Sequence, residues 1–164
     1  MNNSVTDSRE KGLSLVELMV VVAITSILLL VAVPSFESFF GSLRDDRVIG
    51  DLEAALGLAR SEAIKSGRSA TVCAGTGLCS GATDWSTGWA VTLTGIGSVG
   101  DEVLRVWQDV PTGYSVTAMG DVRFRATGEI AAVTTQRVEV SAGEQSYCVA
   151  VGLLGNVSHQ EGGC

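Results

Sequence analysis

The chain is poor in the groups that enzymes and nucleic-acid binders rely on. It has one histidine, His159, and 11 basic against 18 acidic residues, a formal net charge of −7 over 164 residues. A Ser-His-Asp arrangement needs a histidine held by a scaffold, and His159 lies in a Gly-rich tail. No Gly-rich phosphate loop of the Walker type occurs. A tetrahedral metal site needs closer ligand spacing and more histidine than this sequence offers. The expectation is therefore a protein that is not an enzyme, with no catalytic residue, no cofactor and no metal. His159 reads as an exposed tail residue. The acidic pairs Asp45-Asp46 and Asp101-Glu102 read as solvated surface rather than cation sites. The acidic balance argues against a general nucleic-acid-binding surface.

Also missing is a small-residue cleavage site behind the apolar segment, the mark of an ordinary secretory signal. The nearest imitation, Ala32-Val33-Pro34-Ser35, places Pro34 beside the cut. The better processing site lies ahead of the apolar run, at Gly12, after Arg9-Glu10-Lys11. Cleavage there removes two basic and two acidic residues, so the net charge is unchanged. It also leaves the apolar run on the mature chain.

That run, Leu13 to Val33, is the most informative feature present. Its only charge is Glu17, and Ser14, Thr25 and Ser26 are its other polar groups. As a helix it spans roughly 30 Å, the thickness of a bilayer core. A carboxylate costs about 2.5–3.5 kcal/mol at the centre of a membrane helix and less near its end. Glu17 sits one turn past Leu13, near the interface. After cleavage Leu13 carries a free α-amino group. In a helical assembly Glu17 is placed to pair with the amine of a neighbouring subunit, a low-dielectric pair that sets register.

Lys11-Gly12-Leu13-Ser14-Leu15-Val16-Glu17, the apolar run and Pro34 together resemble the class III signal of type IV pilins and pseudopilins. The family pattern has a basic leader ending in Gly, an apolar first mature residue (usually Phe, here Leu13) and Glu at the fifth mature position. The resemblance implies cleavage after Gly12 by a prepilin peptidase, N-methylation of Leu13 and incorporation into a filament. Glu17 and Pro34 are the assembly residues it marks. The implied partners are other minor and major pilins or pseudopilins and an inner-membrane assembly platform. The implied location is the bacterial inner membrane, single-pass, with a periplasmic ectodomain.

Past Pro34, Val48, Leu52, Ala55, Leu56, Ala59 and Ala63 recur at three- and four-residue spacing, a helical stripe for a core. Charged residues decorate the other faces, and Gly67 is placed to cap the end. Pro34 is expected to kink or loosen the helix, and Gly41, Gly50 and Gly57 to weaken it. Phe36, Phe39 and Phe40 fit either packing on the helix's own domain or contact with filament neighbours. Beyond Gly67 come short β-rich runs: 69–74, 88–93, 102–108, 114–118, 122–125, 137–141 and 146–151. Thr127-Gly128 and Gly155-Asn156 mark turns between them. Trp85, Trp89 and Trp107 read as core or edge-covering aromatics. The organisation is thus a leader over 1–12, a transmembrane and assembly helix over 13–34, an amphipathic helix over 35–67 and a β-rich domain over 68–164.

Four cysteines lie in the β-rich part, and four allow three pairings. Cys73–Cys79 with Cys148–Cys164 is favoured because both bonds are then local. The first closes a small loop through Gly75 and Gly77, and the second staples the tail to a central strand. Such bonds suit a compartment outside the cytosol.

Ala59-Arg60-Ser61-Glu62-Ala63, the Cys73 strand, Gly88-Trp89 and Phe124 followed by Thr127-Gly128 resemble the H-type minor pseudopilins, the GspH/FimT family. That likeness implies an α+β fold, a long N-terminal helix packed on two antiparallel β-sheets. Some FimT-like members are associated with DNA uptake through a C-terminal Gly-Arg-x-Arg segment. Here the matching stretch is Gly155-Asn156-Val157-Ser158, without either arginine, so DNA binding is not carried over. The expected function is a minor pilin or pseudopilin near the tip of an inner-membrane-assembled filament, a type II secretion pseudopilus or a type IV pilus. The alternative is a filament-tip binding module, an adhesin or DNA-uptake receptor.

Overall fold

The computed structural model describes residues 14–97 and 100–164, so the expected processing pair Gly12 and Leu13 lies outside the described residues. The chain divides into two compact units, residues 1–42 and 43–164. Helix α1, Leu15–Ser66, contributes to both.

In the first unit α1 is helical without a break through Pro34 and Gly41. The one backbone hydrogen bond lost at Pro34 does not end the helix, which continues to Ser66. Leu15, Val16, Leu18, Met19 and the apolar residues on to Leu30 are exposed around the whole circumference. Thr25 and Ser26 donate their hydroxyls to the carbonyls of Val21 and Val22, at 2.7 Å each. This back-bonding satisfies the two hydroxyls within the helix, so that neither is left unpaired on the apolar surface. Among the described residues no helix is long and apolar enough to cross a membrane, and the side chains of this run are described without a break only from Leu15 to Leu30.

The second unit holds the core. The helical stripe Val48, Leu52, Ala55, Leu56, Ala59 and Ala63 is buried, joined by Ile49. Gly67, at φ +65°, ends the helix in the left-handed conformation that suits glycine. Eight strands follow: β1 Ala70–Ala74, β2 Trp89–Leu93, β3 Glu102–Trp107, β4 Tyr114–Ala118, β5 Val122–Phe124, β6 Gln136–Ala142, β7 Gln145–Val151 and β8 Val157–Glu161. They form two four-stranded sheets, β3-β2-β1-β5 and β4-β6-β7-β8, with every pairing antiparallel. Val72, Val91 and Phe124 from the first sheet share one core with Val116, Val138, Val140 and Val149 from the second and with the helical stripe. Trp85, Trp89 and Trp107 are buried in the same core.

One expectation is corrected and one element is added. The Gly-rich tail beyond Gly155 carries a further strand, with His159 exposed in it as expected: β8 pairs along β7, from Val151↔Val157 to Tyr147↔Glu161. His159 lies in that strand, and its Nδ1 sits 2.8 Å from Glu53 Oε1 on the helix. Asp45 is not solvated surface, being only 3% exposed.

Candidate functional site

The N-terminal end of α1 is built around a cap. Ser14 Oγ accepts the backbone N–H of Glu17 at 3.2 Å, and the Ser14 carbonyl accepts that of Leu18 at 3.1 Å. Ser14 is thus the N-cap and Glu17 the third residue of the helix. The Ser-x-x-Glu spacing that signals such a cap stands in the sequence and identifies Ser14 as a functional residue that the motif reading passes over. The cap places the Glu17 carboxylate in the first turn, where the helix dipole favours negative charge. Glu17 is exposed, at the head of an apolar surface. The geometry is that of an exposed apolar helix with one acid held at its start, which among the described residues makes no ion pair.

In the second unit the family-like motifs converge on Arg60. Its Nε donates to the Gly128 carbonyl at 3.1 Å and its Nη2 to the Leu154 carbonyl at 2.9 Å. One helical guanidinium therefore ties the turn before Ile130 to the β7–β8 turn. Space there is scarce. A Cβ on Gly155, at φ +76°, would stand 2.1 Å from the Gly128 carbonyl oxygen, and one on Gly128 would stand 2.8 Å from Ile64 Cδ1. Gly88 is held for a similar reason: a Cβ there would meet the Trp107 carbonyl oxygen at 2.1 Å. The glycines of these motifs permit close backbone approach.

Asp45 anchors the other end of this unit. Both tyrosines of the chain, Tyr114 on β4 and Tyr147 on β7, donate their hydroxyls to its carboxylate, Tyr147 at 3.1 Å. The two rings approach it from either side of β6. Burial first, and then the bond to Asp45 and its charge, push both phenols above their ordinary pKa. No sequence signal marks this cluster, because its members are 69 and 102 residues from Asp45.

The structure joins Cys73 to Cys79 and Cys148 to Cys164, with Cα separations of 5.4 and 5.0 Å. The first closes the loop after β1. The second ties the last residue to β7. Among the described residues no group of three or more His, Cys, Asp or Glu is placed to hold a metal.

Phe36, Phe39 and Phe40 are exposed in the first unit, with ring centroids 6.5 Å apart for Phe36–Phe40 and 5.8 Å for Phe39–Phe40.

Comparison with known proteins fits this geometry. The family model described as type II transport protein GspH matches residues 49–155. The prokaryotic N-terminal methylation motif matches residues 7–33. No curated protein matches the chain. Two crystal forms of the type IV minor pilin FimU from Pseudomonas aeruginosa PAO1 share the fold at 19% identity. One, with a TM-score of 0.54, covers 68% of this chain and 88% of its own, and the other, at 0.56, covers 68% and 84%. With a match over 49–155 that includes most of the helix stripe, strands β1 to β7 and the Arg60 tether, the chain belongs to the family described as type II transport protein GspH.

Proposed function

We propose that the protein is a minor subunit near the tip of a filament assembled at the bacterial inner membrane, either a type II secretion pseudopilus or a type IV pilus. The observation that carries this reading is the exposed apolar surface of α1 from Leu15 to Leu30 behind the capped Glu17. A helix apolar on all sides is stable only inside lipid or among other helices. In this account residues 13–34 first anchor the precursor across the inner membrane, with the β-rich domain in the periplasm. Prepilin peptidase cleaves after Gly12, and Leu13 is methylated. The helix then leaves the bilayer as its apolar surface packs on neighbouring pilins. Glu17 pairs with the terminal amine of an adjacent subunit, and the Coulomb gain in that low-dielectric setting fixes the axial register. Pro34 loosens the helix locally to fit that packing. The role is structural, without catalysis.

The experiment is an in-frame deletion with two assays, counts of sheared surface pili and export of secreted proteins. Loss of pili places the subunit in type IV pilus initiation, and loss of export with normal pili places it in the secretion pseudopilus. A deletion that leaves both intact overturns the proposal.

A further inference from the structure

A pocket of about 230 Å³ opens in the second unit between α1, β2, β3 and the segment after β3. Val48, Trp107 and Val110 give it apolar walls, and Arg47, Arg105 and Gln108 bring donors to its lining. The Arg105 guanidinium lies over the Trp107 ring, 4.7 Å from the centroid, and among the described residues it makes no ion pair. Stacking of this kind holds a guanidinium flat while leaving its edge N–H groups free. Arg47 is only loosely engaged, 3.8 Å from the half-exposed Asp51 and 3.9 Å from the well exposed Asp109. Pairs of that kind exchange readily for a better acceptor. Trp89 also lines the pocket, with its indole N–H buried beneath the surface.

We propose that this pocket binds a carboxylate presented by an acidic peptide segment. A free guanidinium edge and a second exchangeable guanidinium both donate, so the ligand group must accept on more than one oxygen. Asp51 and Asp109 in the same lining disfavour a more highly charged anion such as phosphate. The volume exceeds that of a lone carboxylate, and the apolar walls fit the carbon chain and neighbouring residue that a peptide carries with it. On the filament reading above, the segment comes from an adjacent subunit; the binding chemistry stands apart from that reading, which rests on α1.

The test is intrinsic tryptophan fluorescence of the full chain in zwitterionic detergent, titrated with a capped Asp-Leu-Asp tripeptide, its Asn-Leu-Asn counterpart and sodium acetate. The expected result is saturable quenching by the acidic tripeptide, with the amide counterpart and acetate each at least tenfold weaker. Arg105→Gln, at an exposed position, is expected to weaken the acidic tripeptide at least tenfold with an unchanged near-UV circular dichroism spectrum. Arg47→Gln, which removes the second guanidinium, is expected to weaken it severalfold. Equal binding of the amide tripeptide, no saturation by the acidic one, or full affinity in Arg105→Gln overturns the proposal. Acetate binding as tightly as the tripeptide overturns the peptide source. None of these outcomes bears on filament incorporation.

Discussion

The Arg60 guanidinium donates to the Gly128 carbonyl across 68 residues of sequence, at 3.1 Å, and through its other nitrogen to Leu154. This single side chain joins the helix to two turns that are themselves linked by the Ile130 N–H, which donates to the Leu153 carbonyl at 3.1 Å. Arg60→Ala leaves both carbonyls to water or to no partner. The expected cost is about 1–3 kcal/mol, read as a lower thermal midpoint of the full chain in detergent. Arg60→Lys is expected to recover less than half of that, because one ammonium cannot reproduce a two-pronged donor. A midpoint unchanged in Arg60→Ala would remove the tether from the account.

Gly155→Ala tests the close approach under the same tether. Its Cβ would enter the Gly128 carbonyl oxygen, at a φ of +76°. Both backbone strain and overpacking oppose it, with an expected loss of about 2–4 kcal/mol. Gly143→Ala is the control: φ is +62°, but nothing lies within 4 Å of its Cβ. That change is expected to cost only about 1 kcal/mol. Equal losses at the two glycines would show that the steric contact is unimportant.

The Asp45 cluster predicts an alkaline dependence. Tyr114 and Tyr147 have folded pKa values above the ordinary value of 10.0. A raised folded value stabilises the neutral form. The contribution is therefore complete below pH 10 and is lost as pH climbs through the folded pKa values. Since these are the only tyrosines, phenolate absorbance at 295 nm reports the pair alone. Wild type is expected to titrate above pH 10, and Asp45→Asn at lower pH than wild type. Identical titration curves would mean that the Asp45 charge does not reach the phenols.

Much of this fold was legible because its signals are local. The stripe from Val48 to Ala63 repeats at helical spacing, and the strand runs from Ala70 to Val151 agree with the observed elements to within a residue or two. Gly67, Gly128 and Gly155 mark turns that the structure places there, all at positive φ. The features that escaped depend on distant partners. β8, Val157-Ser158-His159-Gln160-Glu161, has one apolar residue, and as an edge strand it is held by backbone pairing that leaves no alternation to read. Asp45 looks like half of a surface acid pair until two tyrosines from the far end of the chain close over it. The N-cap was readable from Ser14-x-x-Glu17, but the pilin-like motif draws attention to Glu17 as an assembly residue and away from the turn it helps to form.

Removing the Cys148–Cys164 bond frees the last residue from β7. The loop it closes, with a sequence separation of 16, corresponds to a stabilisation of about 3 kcal/mol in the chain-entropy account. Cys148→Ser with Cys164→Ser is expected to lower the thermal midpoint accordingly and to speed exchange of the β8 amides. Unaltered β8 protection would show that backbone pairing alone holds the strand.

The central claim is that the apolar helix with Glu17 at its head builds this chain into a filament. The direct measurement is intact-mass and N-terminal analysis of the protein in sheared, purified filaments, for wild type and Glu17→Leu. Wild type is expected in the filament fraction as a chain beginning at methylated Leu13. Glu17→Leu is expected to be cleaved after Gly12 but retained in the membrane fraction. Wild-type protein absent from filaments, or Glu17→Leu incorporated at the wild-type level, would contradict the account.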